Sequence, residues 1–167
     1  MAGLITVRDI QPADRPVLEK LIPELWGSPL VVSRGRLINP VLLPGFIAEK
    51  DAQLAGVATY QVEDGNCELV TINSFFPGEG IGSALIEHVR RRALDSGCGW
   101  LWLITTNDNL NALGFYQKRG FVLAALFPGA VMKARILKPE IPLVADNGIP
   151  IRDEIQLQLL LNQEDAE

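Results

Sequence analysis

The stretch SFFPGEGIGSAL, residues 74–85, joins a β-strand pattern to a helix pattern through a turn with three glycines, Gly78, Gly80 and Gly82. A glycine-rich turn at a helix start lets several backbone N–H groups converge at the positive end of the helix dipole. Such a site suits a phosphate or pyrophosphate group. The turn therefore predicts an anion site, although the glycines alone leave a tight turn without a ligand as the alternative.

Two other nucleotide-binding patterns fit this turn poorly. A P-loop needs a lysine after its last glycine, and here Ser83 follows Gly82. A dinucleotide-binding turn has the spacing G-x-G-x-x-G after the first strand of a parallel unit, whereas this turn has G-x-G-x-G in mid-chain. Nucleotide hydrolysis and dinucleotide binding are therefore both disfavoured.

Composition narrows the class of protein further. The chain has 167 residues and a net charge of -5, which predicts one domain over residues 1–163 with a polar tail at 164–167 and disfavours a nucleic-acid partner. No apolar run approaches the roughly 20 residues of a membrane span, and residues 1–10 lack a secretion signal, so we expect no membrane partner and a cytoplasmic location. Cys67, Cys98 and His88 lack metal-ligand spacing, which predicts two core thiols and no metal.

Hydrophobic periodicity places secondary structure around the turn. Strands are predicted at residues 4–9, 46–49, 54–63, 67–75, 100–106, 121–127 and 155–161, with a strong hairpin signal at Asp64-Gly65-Asn66. Helices are predicted from the cap Asp14 to about Trp26, with Pro23 kinking or splitting it, from Ile81 onward, and at residues 109–118. Residues 27–44 are predicted to be irregular or a short helix, and residues 128–150 to be a proline-punctuated connection.

A second stretch, TTNDNLNALGFYQKRGF at residues 105–121, resembles the N-x-x-A-x-x-[LF]-Y-x-K-x-G-F signature of the GNAT superfamily of acyl-CoA-dependent N-acyltransferases. The matching residues are Asn109, Ala112, Phe115, Tyr116, Lys118, Gly120 and Phe121. The first turn is similar to the [RQ]-x-x-G-x-[GA] acyl-CoA motif of that family through Gly80 and Gly82. It departs from the motif at Pro77, where the family has Arg or Gln.

The resemblance implies an α/β fold with a mixed, mostly antiparallel twisted sheet of about seven strands flanked by helices. The sheet would splay between its fourth and fifth strands, residues 67–75 and 100–106, and the pantetheine arm of acetyl-CoA would insert there. The resemblance assigns the coenzyme to Ile72, Asn73, Ser74, Gly78, Glu79, Gly80, Ile81, Gly82, Ser83 and Asn109. Ordinary sheet pairing for residues 72–74 and a simple N-cap role for Asn109 are the alternatives.

The resemblance also implies catalytic roles. Tyr116 would protonate the departing CoA thiolate as general acid, and a buried aromatic with a satisfied hydroxyl is its alternative. Glu68 is the candidate general base, and an exposed strand carboxylate is its alternative. Some family members carry a catalytic Glu on the fifth strand, where this chain has Ile104.

These features predict an N-acetyltransferase that moves an acetyl group from acetyl-CoA directly to a primary amine. The alternative is a CoA-binding regulatory module without turnover, which Pro77 and Ile104 motivate. The acceptor is not named by any motif, and the acidic composition mildly favours a cationic amine. Because the family often dimerises, a homodimer is a further expectation.

Overall fold

A computed structural model describes residues 3–162, so the predicted tail at residues 164–167 lies outside the described residues. The strands and helices, in chain order, are β1 (Ile5–Asp9), α1 (Arg15–Trp26), β2 (Val31–Ser33), β3 (Arg36–Ile38), β4 (Gly45–Lys50), β5 (Gln53–Glu63), β6 (Asn66–Ser74), α2 (Ile81–Asp95), β7 (Trp100–Thr106), α3 (Leu110–Gln117), β8 (Val122–Phe127), α4 (Ala130–Leu137) and β9 (Glu154–Leu160). None of the described helices is both long and apolar enough to cross a membrane.

Seven strands form one mostly antiparallel sheet in the order β1-β4-β5-β6-β7-β9-β8, and β2 pairs with β3 separately. The mixed α/β fold with a sheet of about seven strands and flanking helices is confirmed. The splay between the strands now labelled β6 and β7 stays a prediction.

Contacts along the chain divide it into two compact units. Of the described residues, the first comprises 3–17, 42–101 and 160–162, and the second comprises 18–41 and 102–159. The single domain over residues 1–163 stays a prediction.

The first unit is built on an antiparallel meander of β1, β4, β5 and β6. Asp64 and Gly65 have φ values of 53° and 75°, the conformation of a type I′ turn, so the hairpin signal is confirmed. Helix α2 lies against β5 at Gly56, where an added Cβ would be only 2.8 Å from Ile81 Cγ2. A side chain at Gly56 would therefore push the helix start away from the sheet.

A β-bulge in β6 decides which face its residues occupy. Thr59 pairs with Thr71 while Tyr60 pairs with Leu69, so Val70 is the extra residue on β6. Thr71 and Glu68 are three residues apart and would lie on opposite faces of a regular strand. With the bulge, Glu68 pairs with Gln61 and shares the face on which Thr59 and Thr71 bond through their hydroxyls, 2.6 Å apart.

Helix α1 differs from its prediction in two details. It runs unbroken through Pro23 to Trp26, so a split at Pro23 is wrong, and a kink there stays a prediction. Asp14 ends a 3-10 turn, Pro12–Asp14, and its carboxylate accepts the backbone N–H of Gln11 at 2.7 Å and two Arg8 donors at 2.8 and 3.0 Å. Because Arg8 and Gln11 hold this carboxylate, Asp14 closes the turn before the helix.

The second unit contains two elements that the sequence analysis missed. Residues 27–44, predicted as irregular or helical, contain the β2–β3 hairpin, which turns at Arg34 and Gly35 with φ values of 49° and 76°. The connection 128–150 contains α4, whose N-cap is Gly129. Six of its eight residues are Ala, Met, Lys, Arg or Leu, which are good helix formers, and the helix lies between Pro128 and Pro139, so proline marks its two ends here.

Replacing Gly56 with alanine is expected to destabilise the fold by about 1–3 kcal/mol, because the new Cβ would lie 2.7 Å from the Asn73 carbonyl oxygen and 2.8 Å from Ile81. Chemical denaturation measures the change. Gly99→Ala is the matched control, since its Cβ would meet only Asn66 Oδ1 at 3.8 Å. Equal stability of the two variants would contradict the tight approach of α2 to β5.

Candidate active site

The turn between β6 and α2 has the conformation that its glycines predict. Gly78 and Gly80 both have φ of 79°, in the left-handed region that favours glycine, and Gly80 is the N-cap of α2. The Ala84 N–H donates to the Gly80 carbonyl at 3.0 Å, so the N–H groups of residues 81–83 precede the first bond of the helix. Residues 77–80 are exposed. An exposed helix start with N–H groups that have no partner within the helix has the features of an anion site. Coenzyme binding by residues 78–83 stays a prediction.

Lys50 is a neighbour of this turn that sequence reasoning missed. It ends β4, and its ammonium donates to the Glu79 carboxylate and lies 5.2 Å from the centroid of the Phe76 ring. The two partners are 29 residues apart in the chain, and no motif links them. The pairing of β4 with β5 and of β5 with β6 brings Lys50 to the turn that follows β6. Its charge stands beside a turn that lacks the family's Arg or Gln at Pro77.

Residues Ile72, Asn73 and Ser74 pair with Ala58, Val57 and Gly56 of β5. This pairing uses the edge of β6 that faces β5. It extends one residue beyond the end of β6, since the Phe75 N–H donates to the Ala55 carbonyl at 2.9 Å. The predicted contact of residues 72–74 with pantetheine therefore concerns the other edge of β6, and it stays a prediction.

Glu68 is buried, with 2% of its surface exposed, and its Oε1 accepts a hydrogen bond from Gln61 Nε2 at 2.9 Å. The alternative of an exposed strand carboxylate is therefore wrong. A buried carboxylate needs hydrogen-bond partners or a function to offset its lost hydration. The role of Glu68 as base stays a prediction.

Tyr116 lies on α3 between two aromatic rings. Its ring centroid is 5.3 Å from that of Phe115 and 5.5 Å from that of Phe121, both in edge-to-face arrangements. Burial raises the pKa of its phenol well above the usual 10. Within residues 3–162 the hydroxyl has no hydrogen-bond partner. Tyr116 is thus a buried aromatic, but one whose hydroxyl is not satisfied by the protein that the structure describes.

The loop before α3 is held firmly in place. Asn109 caps the helix, its Oδ1 accepting the Ala112 N–H at 3.2 Å, so the N-cap alternative is confirmed and a coenzyme contact stays a prediction. Asn107 Oδ1 accepts the N–H groups of Arg152 and Asp153, each at 3.0 Å. Between them, Asp108 Oδ1 is buried and has no partner among residues 3–162. A buried acceptor without a donor is costly, and a ligand N–H would relieve that cost.

The arginines of α2 are engaged in ion pairs. Arg90 and Arg91 donate to Glu87, and the Arg90 bond lowers the pKa of that carboxyl. Arg92 donates to the Tyr60 hydroxyl at 2.9 Å and pairs with Asp9. These contacts favour a charged helix face over phosphate binding.

The predicted residues fall into both units. The first unit holds Glu68, residues 72–74 and the turn 78–83, and the second unit holds Asn109 and Tyr116. In the part of the chain that the structure describes, no three His, Cys, Asp or Glu side chains cluster as a metal site. Cys67 and Cys98 are buried free thiols, as predicted for core positions.

Comparison with known proteins agrees with both motifs. The model of the acetyltransferase (GNAT) family matches residues 19–121, a range that contains both motifs. The uncharacterized protein YdhI of Bacillus subtilis is 47% identical over 131 residues, which cover 78% of this chain and 82% of YdhI. Streptothricin acetyltransferase of Streptomyces lavendulae is 34% identical over 80 residues, 46% of this chain and 42% of that protein. A Bacillus subtilis acetyltransferase solved with CoA has a TM-score of 0.66 at 21% identity, covering 96% of this chain and 99% of the other.

Replacing Lys50 with methionine is expected to weaken CoA binding about 5- to 10-fold, roughly 1–1.4 kcal/mol, because the Glu79 carboxylate would then repel the diphosphate. Isothermal titration measures the dissociation constant. Glu79→Gln should bind CoA at least as tightly as the wild type, and the double variant should recover wild-type affinity. Lys20→Met, which removes an exposed charge from α1, is the control. Unchanged affinity in Lys50→Met would rule out this role.

Proposed function

Because the chain belongs to the GNAT family of acetyltransferases, we propose that it moves the acetyl group of acetyl-CoA directly onto a primary amine. The enzyme class follows from the family, and the amine acceptor is the proposed part. The observation that carries the proposal is Tyr116, a largely buried residue of the second motif whose hydroxyl has no hydrogen-bond partner among residues 3–162.

The reaction requires one bond to form and one to break. The neutral amine attacks the thioester carbonyl carbon, the new C–N bond forms, and the C–S bond breaks. The sulfur leaves with the Tyr116 proton as CoA thiol. The proton that the amine releases passes to the proposed base, described next, and from there through solvent to the Tyr116 phenolate. Burial keeps Tyr116 protonated at neutral pH, so its hydroxyl is always a donor when the sulfur departs.

Glu68 is proposed as the group that takes the proton from the amine, directly or through water. Its burial and its bond from Gln61 hold the carboxylate in one position, which favours a functional role over a solvated surface charge. The bulge at Val70 places it on the same face as Thr71. Ile104 stands where some family members carry a catalytic Glu, and Glu68 is the carboxylate proposed for this step instead.

A cytoplasmic location and a homodimer complete the proposal. Acetyl-CoA is an intracellular metabolite, which favours the cytoplasm.

Strand β8 lies at the edge of the sheet and carries three exposed apolar residues. The exposed fractions of Val122, Leu123 and Leu126 are 56%, 57% and 61%. An apolar edge strand can pair with a second chain, which supports self-association through β8.

Tyr116→Phe is expected to lower kcat about 100- to 1,000-fold and to leave the CoA dissociation constant unchanged, since the ring contacts to Phe115 and Phe121 remain. Thiol release with an amine panel and titration with CoA measure the two quantities. Because the raised pKa keeps the phenol protonated, the wild type should lose no rate through Tyr116 ionisation between pH 7 and pH 10.

Tyr60→Phe is the matched control, because Tyr60 is the other tyrosine of the chain and its hydroxyl is bonded to Arg92. It should reduce stability and preserve kcat. CoA binding by a wild type that acetylates no amine would favour the regulatory module without turnover.

Glu68→Gln is expected to lower kcat about 10- to 100-fold with little change in CoA affinity, because the amide keeps the size of the side chain and cannot accept the proton. Steady-state kinetics and CoA titration provide the measurement. Gln61→Ala removes one hydrogen-bond partner of Glu68 and keeps the carboxylate, so its loss of rate should be smaller. A Glu68→Gln variant with wild-type kcat would remove Glu68 from the mechanism.

A further inference from the structure

The face of β5 and β6 that carries Glu68 also holds a buried pair of hydroxyl groups. Thr59 and Thr71 pair across the two strands, are 0% and 1% exposed, and have their Oγ1 atoms 2.6 Å apart. A cross-strand bond between threonines contributes to the stability of a sheet, so a purely structural role is the alternative to a functional one. The number of hydroxyl hydrogens in the pair points beyond that structural role.

One hydroxyl hydrogen of the pair has no acceptor within the protein that the structure describes. Each threonine hydroxyl carries one hydrogen and two lone pairs, and the bond between Thr59 and Thr71 uses only one of the two hydrogens. This bond is the one hydrogen bond that either side chain makes within residues 3–162. Because a buried O–H group without an acceptor is unfavourable, the second hydrogen is available to a water molecule or a ligand.

Thr71 is the member of the pair that adjoins Glu68. The bulge at Val70 makes Thr71 and Glu68 neighbours on one face of β6. The corresponding neighbour of Thr59 on β5 is Gln61, and its Nε2 donates to Glu68 at 2.9 Å. The second hydrogen therefore lies nearer the carboxylate when Thr59 donates to Thr71 and Thr71 keeps its own hydrogen.

The spacing along the strands fits one water molecule between Thr71 and Glu68, which share no direct hydrogen bond. Their partners on β5 are two residues apart, which corresponds to about 6.7 Å along a strand. A water that bonds one oxygen atom on each side spans about 5.6 Å. Glu68 takes part in a further interaction besides the Gln61 bond, but a carboxylate has about four acceptor positions, so it can still accept a water O–H.

We propose that Thr71 is a positioning residue, whose hydroxyl holds the water through which Glu68 takes the proton of the amine. The inference rests on the proposed acetyl transfer with Glu68 as base. Thr71 donates its hydrogen to the water oxygen, and the water donates one of its own to the carboxylate. The pantetheine contacts predicted for residues 72–74 begin directly after Thr71, so β6 would bring this water and the thioester together.

The proton transfer through this water is balanced. As the C–N bond forms, an N–H bond of the amine breaks and its proton passes to the water oxygen. A proton of the same water passes to Glu68, so the water is restored and the carboxylate becomes a carboxylic acid. Thr71 gives up no proton, because its hydroxyl only orients the water.

Thr71→Val removes the hydroxyl and keeps the shape of the side chain. It is expected to lower kcat for amine acetylation about 10-fold and to leave the CoA dissociation constant unchanged, because the water loses its orientation. Thr59→Val is the matched control, since it breaks the same hydrogen bond at an equally buried position. Chemical denaturation should show similar losses of stability in the two variants, while Thr59→Val should keep kcat within about 2-fold of the wild type.

Combining Thr71→Val with Glu68→Gln tests whether the two residues share one proton route. Groups that act as a unit are not additive, so in the Glu68→Gln background Thr71→Val should lower kcat by less than about 2-fold further. A purely structural role of Thr71 would instead lower kcat by the same factor in both backgrounds.

Thr71→Ser and Thr71→Ala differ only in the hydroxyl and serve where valine is not tolerated. Thr71→Ser should retain most of kcat, and Thr71→Ala should match the loss expected of Thr71→Val. Equal losses of kcat in Thr71→Val and Thr59→Val, additive losses with Glu68→Gln, or full rate in Thr71→Ala would each overturn the inference and leave Glu68 as the base. Wild-type kcat in Glu68→Gln would remove the base on which the inference rests, and acetylation of no amine by the wild type would overturn the proposed function as well.

Discussion

The register between β5 and β6 is the constraint on which the rest of the first unit depends. It aligns Gly56 with Ser74, so α2 can begin against the sheet directly after the turn. It also contains the bulge at Val70, which rotates Glu68 onto the face of the buried Thr59–Thr71 pair. A slip of one residue would exchange the faces of these side chains and bury a carboxylate where the helix packs.

Charge at the glycine turn is arranged through contacts distant in sequence. Pro77 removes both an N–H group and the arginine or glutamine of the family pattern, and Glu79 adds a negative charge. Lys50 neutralises that charge from the end of β4 and rests on Phe76. The turn thereby keeps the electrostatic balance that an anion needs, even though one motif position has changed.

Local signals in the sequence predicted the elements that local physics determines. The Asp64-Gly65 turn, the start of α2 at Ile81 and the cap at Asn109 each follow from the conformational preference of one or two residues. The β2–β3 hairpin was missed because Arg34 carries no turn signal, and α4 because its flanking prolines suggested a loop. The bulge at Val70, the burial of Glu68 and the contact of Lys50 arise from long-range pairing, which no local pattern encodes.

The two cysteines have a practical bearing on how the chemistry can be followed. Burial raises the pKa of the Cys67 thiol to about 12 and also raises that of Cys98, and both side chains are shielded from solvent. Aromatic disulfide reagents react with exposed thiolates, so the folded protein should contribute almost no background colour. Each equivalent of chromophore would then report one turnover in real time, and a slow rise without substrate would signal unfolding.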